Sequence, residues 1–254
     1  MKVLLCTLFF LGTLWAEIRI PEPWNPGWFD VLGKNPSRKA SGFRLGLVWT
    51  EPMEGVEYEV FGIFSEWGNL RYRLGASFTS SFLDSLYRSE NFGIESSFAI
   101  SSFRIGAGGN LDIQVVTGEA TWWRAVGRAG VSWNGSSRFS CGLWGSLPTD
   151  FESGSFAGNV LWLSNEKFRS EAAVLYQRPI GFLVVLGEKF RLGVLELQGS
   201  VAYPGPKVGV GIIFGFQNWG AAFGMHRDGA YMNSRMGGLF YRNSPGTYDM
   251  KSKF

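Results

Sequence analysis

The fold class predicted from the sequence is all-β: an antiparallel transmembrane β-barrel of about 14 strands. Three observations predict it. Residues 41–242 alternate between apolar and polar, segment after segment, with the period of two that marks strands. Most segments run to about 9–12 residues, enough to cross a bilayer and roughly twice the usual soluble strand. The connections at one end are uniformly short, whereas those at the other end are longer on average, which is the barrel pattern of periplasmic turns and outer loops.

Composition agrees. Charged residues make up 18% of the 254, below the ~25% usual in soluble domains, and aromatics reach 16% with 35 Gly and 11 Trp. Glycine and aromatics enriched together suit strands and tight turns rather than helices. A net charge of +3 with no Lys/Arg run argues against a nucleic-acid partner.

The N-terminus reads MKVLLCTLFFLGTLWAE. Lys2, an apolar run from Val3 to Trp15 and small Ala16 have the anatomy of a signal peptide over residues 1–16, too short for a spanning helix. Its removal leaves Cys141 as the only cysteine, which excludes an internal disulfide. No other segment is a spanning-helix candidate, so the expected location is the bacterial outer membrane and the first partner is its lipid bilayer.

The strands follow in order. Phe43, Leu45, Leu47 and Trp49 share one face. Val56, Tyr58 and Val60 stand opposite Glu57 and Glu59. In LRYRLGASF, Leu70, Tyr72, Leu74 and Phe78 stand opposite Arg71 and Arg73. Phe92, Ile94, Phe98 and Ile100 oppose Glu95 and Ser97; Ile105 and Leu111 oppose Arg104 and Asp112. Further alternating segments run through Trp122–Trp133, Arg138–Leu147, Phe156–Ser164, Phe168–Arg178, Gly181–Phe190, Val194–Tyr203, Lys207–Phe216, Trp219–Arg227 and Met232–Arg242. The longest outer loop is placed at Thr79–Glu90, where Phe82, Leu83, Leu86 and Tyr87 fall at near-helical spacing. The first inner turn is placed at Ser65–Asn69.

In a barrel the apolar faces meet lipid and the polar faces line the lumen. The lumen is expected to hold a charge network of Glu57, Glu59, Arg71, Arg73, Arg104, Asp112, Arg124, Arg128, Arg169 and Glu171, with Glu57 and Glu59 facing Arg71 and Arg73 across the strands. Trp133, Trp144, Trp162, Tyr203 and Trp219 near strand ends suggest an aromatic girdle. Residues 17–40 are Pro-rich, lack alternation and carry Trp24, Trp28 and Phe29, which suit a plug or packed cap more than disorder. Residues 243–254 read as a C-terminal tail.

At KNPSRKASGFRLGLVW an Asn-Pro-small step, Asn35-Pro36, leads within a few residues into the first strand. The pattern resembles the fatty-acid-transporter-like outer-membrane barrels, a group that includes long-chain fatty-acid transporters and the shuttle barrel of type IX secretion. LYRSENFGIESSFAI and VLELQGSVAYPGPKVGVGIIFGF resemble recurrent elements of the same group. The resemblance implies a fourteen-strand barrel with an N-terminal plug. Arg38 and Lys39 depart from the small and apolar residues that usually follow the motif, and the loops are clipped.

Catalytic signatures are absent. His226 is the only histidine, no G-x-S-x-G elbow accompanies it, and GAGGN at Gly106–Asn110 lacks the Lys-Ser/Thr of a phosphate loop. The sequence therefore points to a non-enzymatic barrel without cofactor or metal. The leading expectation is transport or binding of a small hydrophobic molecule, with Trp28, Phe29, Leu83 and Leu86 available for contact. The alternatives are a non-transporting component of a secretion or envelope-assembly complex, partnered by its proteins, and a structural barrel with a closed lumen.

Overall fold

The computed structural model describes residues 35–37, 42–52, 58–83, 86–118, 121–149, 154–165, 167–178, 181–205, 207–228 and 232–243. They form fourteen strands: β1 (Gly42–Glu51), β2 (Tyr58–Gly68), β3 (Tyr72–Leu83), β4 (Tyr87–Ile100), β5 (Phe103–Val116), β6 (Trp122–Asn134) and β7 (Phe139–Pro148), then β8 (Ser155–Asn165), β9 (Phe168–Gln177), β10 (Gly181–Leu192), β11 (Leu195–Tyr203), β12 (Lys207–Phe216), β13 (Trp219–Asp228) and β14 (Met232–Asn243). Each strand pairs antiparallel with its sequence neighbours. β1 also pairs with β14, Leu47 lying opposite Leu239, so the sheet closes without a free edge. The strand number and the alternating segments match the expectation from the sequence.

Closure sorts the side chains into two faces. Outside stand Leu47, Ile63, Leu74, Ile94, Leu186 and Phe223, all exposed, within a nearly continuous apolar wall. Such a wall needs lipid rather than water around it. Near the strand ends, Trp67, Trp133, Trp162, Tyr203 and Trp219 also point outward, as a headgroup-level girdle requires. Trp144 is the correction. It has the same parity as Gly142 and Ser146 on β7 and is buried inside, because the outward positions of that strand are taken by Leu143 and Leu147.

The connections are short at both ends. Those following even-numbered strands have two to four residues, and those following odd-numbered strands three to six. The expected asymmetry survives, but not the long loop at Thr79–Glu90. β3 and β4 run on through it to Leu83 and from Tyr87, with Ser81 opposite Ser89. Phe82 and Leu83 stand on opposite faces at the end of β3, and Tyr87 opens β4. The Ser65–Asn69 turn likewise tightens to residues 69–71. Asn69 Oδ1 accepts hydrogen bonds from the backbone N–H groups of Arg71 and Tyr72, both at 2.8 Å.

Depth in the wall sets the cost of a charge. Ile94 lies mid-strand on β4, whereas Leu74 is only the third residue of β3. Ile94→Arg should lower folding stability in lipid by about 2–4 kcal/mol, and Leu74→Arg by about 0–1 kcal/mol. Denaturant titration in liposomes, followed by heat-modifiable gel mobility, checks both values.

Candidate functional site in the barrel interior

Inward positions of β1–β6 build one continuous polar chain. Arg44 lies 3.6 Å from Glu66, and Glu66 pairs with Arg73. Arg73 donates to Glu95 Oε2 at 2.9 Å. Arg128 continues the chain, donating to Glu95 Oε1 at 3.3 Å and to Asn110 Oδ1 at 2.7 Å. Asn110 donates to Asn91 at 2.9 Å, and Asn91 donates to Asp112. Asp112 lies opposite Arg124 across β5 and β6. A second group lies on β8–β11. Glu171 accepts from Asn159 at 2.9 Å and from Arg169 at 3.3 Å, while Lys189 and Glu196 approach to 3.5 Å.

Arg44, Glu66, Arg73, Arg169, Lys189 and Glu196 lie toward the end with the shorter turns, whereas Asn91, Asp112 and Arg124 lie toward the other. Arg104 braces the shorter-turn end from within: it donates to Ser97 Oγ at 3.2 Å and to the carbonyl of Leu70, in the β2–β3 turn, at 2.7 Å. Partnering is obligatory here, because a charge inside the wall that lacks a partner carries its full desolvation cost.

Asn35, Pro36 and Ser37 sit at the same depth, all buried against the inner wall of β3 and β5–β7. Asn35 Oδ1 accepts from Ser37 N at 3.0 Å and from Ser37 Oγ at 2.6 Å, closing a tight turn. The wall then holds the turn from three sides. Arg73 donates to the Pro36 carbonyl at 3.4 Å, Ser132 Oγ to the Ser37 carbonyl at 3.0 Å, and Asn35 Nδ2 to the Val131 carbonyl at 3.5 Å. Glycines make the space: a Cβ at Gly106 would collide with Pro36, and one at Gly130 or Gly142 with the Asn35 amide.

Other parts of the inner wall are largely apolar. On β1, β2 and β12–β14, Val48, Tyr58, Val60, Met236 and Phe240 cluster, with Leu83 and Tyr87 packed against them. On β7–β11, Trp144, Leu175 and Val185 cluster with Ala157, Ala173 and Ala202. The Trp144 indole N–H is buried there without an acceptor among the described residues.

Of the residues singled out from the sequence, Arg73, Arg104, Asp112, Arg128, Arg169 and Glu171 lie in these inner networks, and Arg124 stands inward on β6 opposite Asp112. Two do not. Glu59 is exposed on the outer face, because Tyr58, Val60, Phe64 and Glu66 take the inward positions of β2. Arg71 is exposed in the turn before β3. Leu83 joins the inner apolar cluster, whereas Leu86 is exposed in the turn. Glu57, Trp24, Trp28 and Phe29 lie outside the described residues, as do residues 1–16 and 244–254.

Sequence reasoning missed Arg44, Glu66, Asn91, Glu95, Asn110, Asn159 and Lys189 as members of the networks. Hairpin arithmetic points to Glu66. In an antiparallel pair the partner numbers sum to a constant, and Gly68 opposite Arg73 brings Glu66 within diagonal reach while leaving Glu59 opposite Phe82 at the far end.

Arg73 therefore carries more than an ordinary wall charge. Arg73→Leu should cost about 3–5 kcal/mol of barrel stability, because Glu66 and Glu95 lose their shared cation. The double variant with Glu66→Gln should recover part of that loss, as read by denaturant midpoint in lipid.

No family model matches the sequence, and no curated protein matches it. Solved barrels share its fold. The toluene transporter TbuX of Ralstonia pickettii superposes with a TM-score of 0.62 at 9% identity, covering 82% of this chain and 92% of its own. The toluene transporter TodX of Pseudomonas putida gives 0.58 at 12% identity, covering 86% and 94%. The outer membrane protein Omp33 of Acinetobacter baumannii gives 0.57 at 7% identity, covering 80% and 98%. The closed, outward-apolar sheet is thus a barrel of the outer-membrane type, and its neighbours include the transporter group that the Asn-Pro pattern resembles.

Proposed function

We propose that the chain is a bacterial outer-membrane barrel that binds and passes a small hydrophobic molecule, and that residues 17–40 serve as its plug, anchored through Asn35–Ser37. The observation that carries this reading is the division of the interior. The inner wall of β3–β6 is mainly polar and the tripeptide rests against it; other strands offer Tyr58, Val60, Leu175 and Val185 to whatever enters. Ligand sites combine an apolar lining with a few placed polar groups, and water-filled porin lumens are mainly polar instead. Two of the barrels that share the fold carry toluene by their names, which supports an apolar cargo of similar size.

A closed structural barrel is the second reading, favoured by the tight burial of Val185 and Ala157. Reconstituted uptake separates the two. Under the transport reading, liposomes holding the barrel should take up toluene faster than empty ones. Val60→Asn and Leu175→Asn should each reduce that excess at least about threefold, since a buried amide without partners disfavours an apolar ligand, while heat-modifiable mobility stays intact. Equal uptake with and without the barrel would support the closed one.

The anchor has its own test. Gly106→Val places side-chain atoms where Pro36 now sits. Single-channel recordings should show higher ion conductance for this variant than for the parent chain if the tripeptide holds a plug in place, and unchanged conductance if it does not.

A further inference from the structure

Among the described residues, a buried acceptor of the inner wall lacks a donor. Asn159 stands inward on β8, opposite Gly142 on β7 and Ala173 on β9. Its Nδ2 donates to Glu171 Oε1 at 2.9 Å, whereas its Oδ1 is buried and accepts from nothing. The orientation of this amide is fixed. Glu171 is buried beside Arg169, and an ionised carboxylate only accepts, so the N–H side of Asn159 must face it. The oxygen is left on the side of β7.

Asn35 reaches the same place. A Cβ at Gly142 would collide with Asn35 Nδ2, and it would lie 3.0 Å from Asn159 Oδ1 and 3.1 Å from the Val131 carbonyl oxygen. Polar atoms of the tripeptide, β8 and β6 thus converge over a residue without a side chain. The Asn35 amide nitrogen carries two hydrogens. One goes to Val131, over a long 3.5 Å, and none goes to Asn159. We infer that Asn159 is the second wall acceptor of the Asn35 amide, a positioning residue that lets Asn35 Nδ2 bridge β6 and β8 across Gly142. The bridge satisfies an acceptor whose desolvation is otherwise uncompensated. It also ties the Glu171–Arg169 pair to the tripeptide. The seat is independent of what crosses the lumen; its effect on passage rests on the reading of residues 17–40 as a plug.

The test is hydrogen exchange of the intact, detergent-solubilised barrel, read by mass spectrometry on peptides spanning Ser37, whose N–H bonds Asn35 Oδ1. Asn159→Ala should speed that exchange at least about fivefold, the worth of one ordinary hydrogen bond, while the β8–β9 ladder keeps the parent's rates. Asn35→Asp keeps the oxygen for Ser37 and loses the Nδ2 donor. It should speed exchange as much or more, and adding Asn159→Ala to it should change nothing further. Glu171→Gln, which frees the Asn159 amide to turn, should give an intermediate rate. Parent-like exchange at Ser37 in Asn159→Ala would overturn the assignment. So would an acceleration that persists in full on the Asn35→Asp background, which would mark a general defect of the wall. Faster exchange without higher conductance would support the seat and sink the plug. Should Asn159→Ala fail to fold, Glu171→Gln decides by the same comparison, alone and on the Asn35→Asp background.

Discussion

Inside hydrocarbon no water is at hand to satisfy a backbone N–H or C=O, so each must be paired within the protein. The pairing of β1 with β14 meets that demand for the whole sheet, and the other features depend on it. Once the sheet is closed, each residue faces either lipid or lumen. The lipid side can take only apolar groups at depth, so the charges of the strands collect inside or at the rims. Within a lumen this narrow they are packed against one another, and pairing becomes the condition for keeping them. The chain from Arg44 to Asp112 answers that condition, with carboxylates and amides set between the arginines.

Arg73 is the junction of this arrangement. It joins two carboxylates from β2 and β4 and also reaches the Pro36 carbonyl. An arginine can do this because its fork of donors lies in one plane and stays charged, whereas a lysine offers a single point. Ser132 holds the Ser37 carbonyl, and the Asn35 side chain both closes the turn and reaches the Val131 carbonyl.

The outer face was the legible part of the sequence. Alternation in β1, β4 and β5 is unambiguous because large apolar residues occupy one parity and charged or small ones the other, and the register follows from short turns. Legibility failed where both parities are apolar. In Tyr58–Phe64 either face could meet lipid; parity there follows from Glu66 pairing inward and Trp67 pointing outward, farther along the same strand. The same ambiguity hid the inward Trp144. The polar chain was visible as composition but not as pairing. Its bonds join residues on up to six strands, and local pattern carries no information about which strand lies beside which until the hairpin sums are taken. The burial of Asn35–Ser37 was legible only through resemblance, since three residues without periodicity predict nothing by themselves.

The stretch Gly106–Ala107 shows how much one position of the wall can be asked to do. Gly106 faces inward and leaves room for Pro36; Ala107 faces outward, in a depression of the wall bordered by Trp67, Leu74, Phe98 and Ile105. Between the two lies a single thickness of backbone. Yet that backbone keeps its ladder on both sides, Gly106 lying opposite Ser97 on β4 and Gly130 on β6. Small residues here thin the wall without opening it. A molecule moving sideways between lumen and lipid at this point would have to break ladder hydrogen bonds in a medium that offers nothing in exchange. The lumen and the lipid side therefore stay separate compartments here, although glycine and alanine at adjacent positions make the wall between them thin.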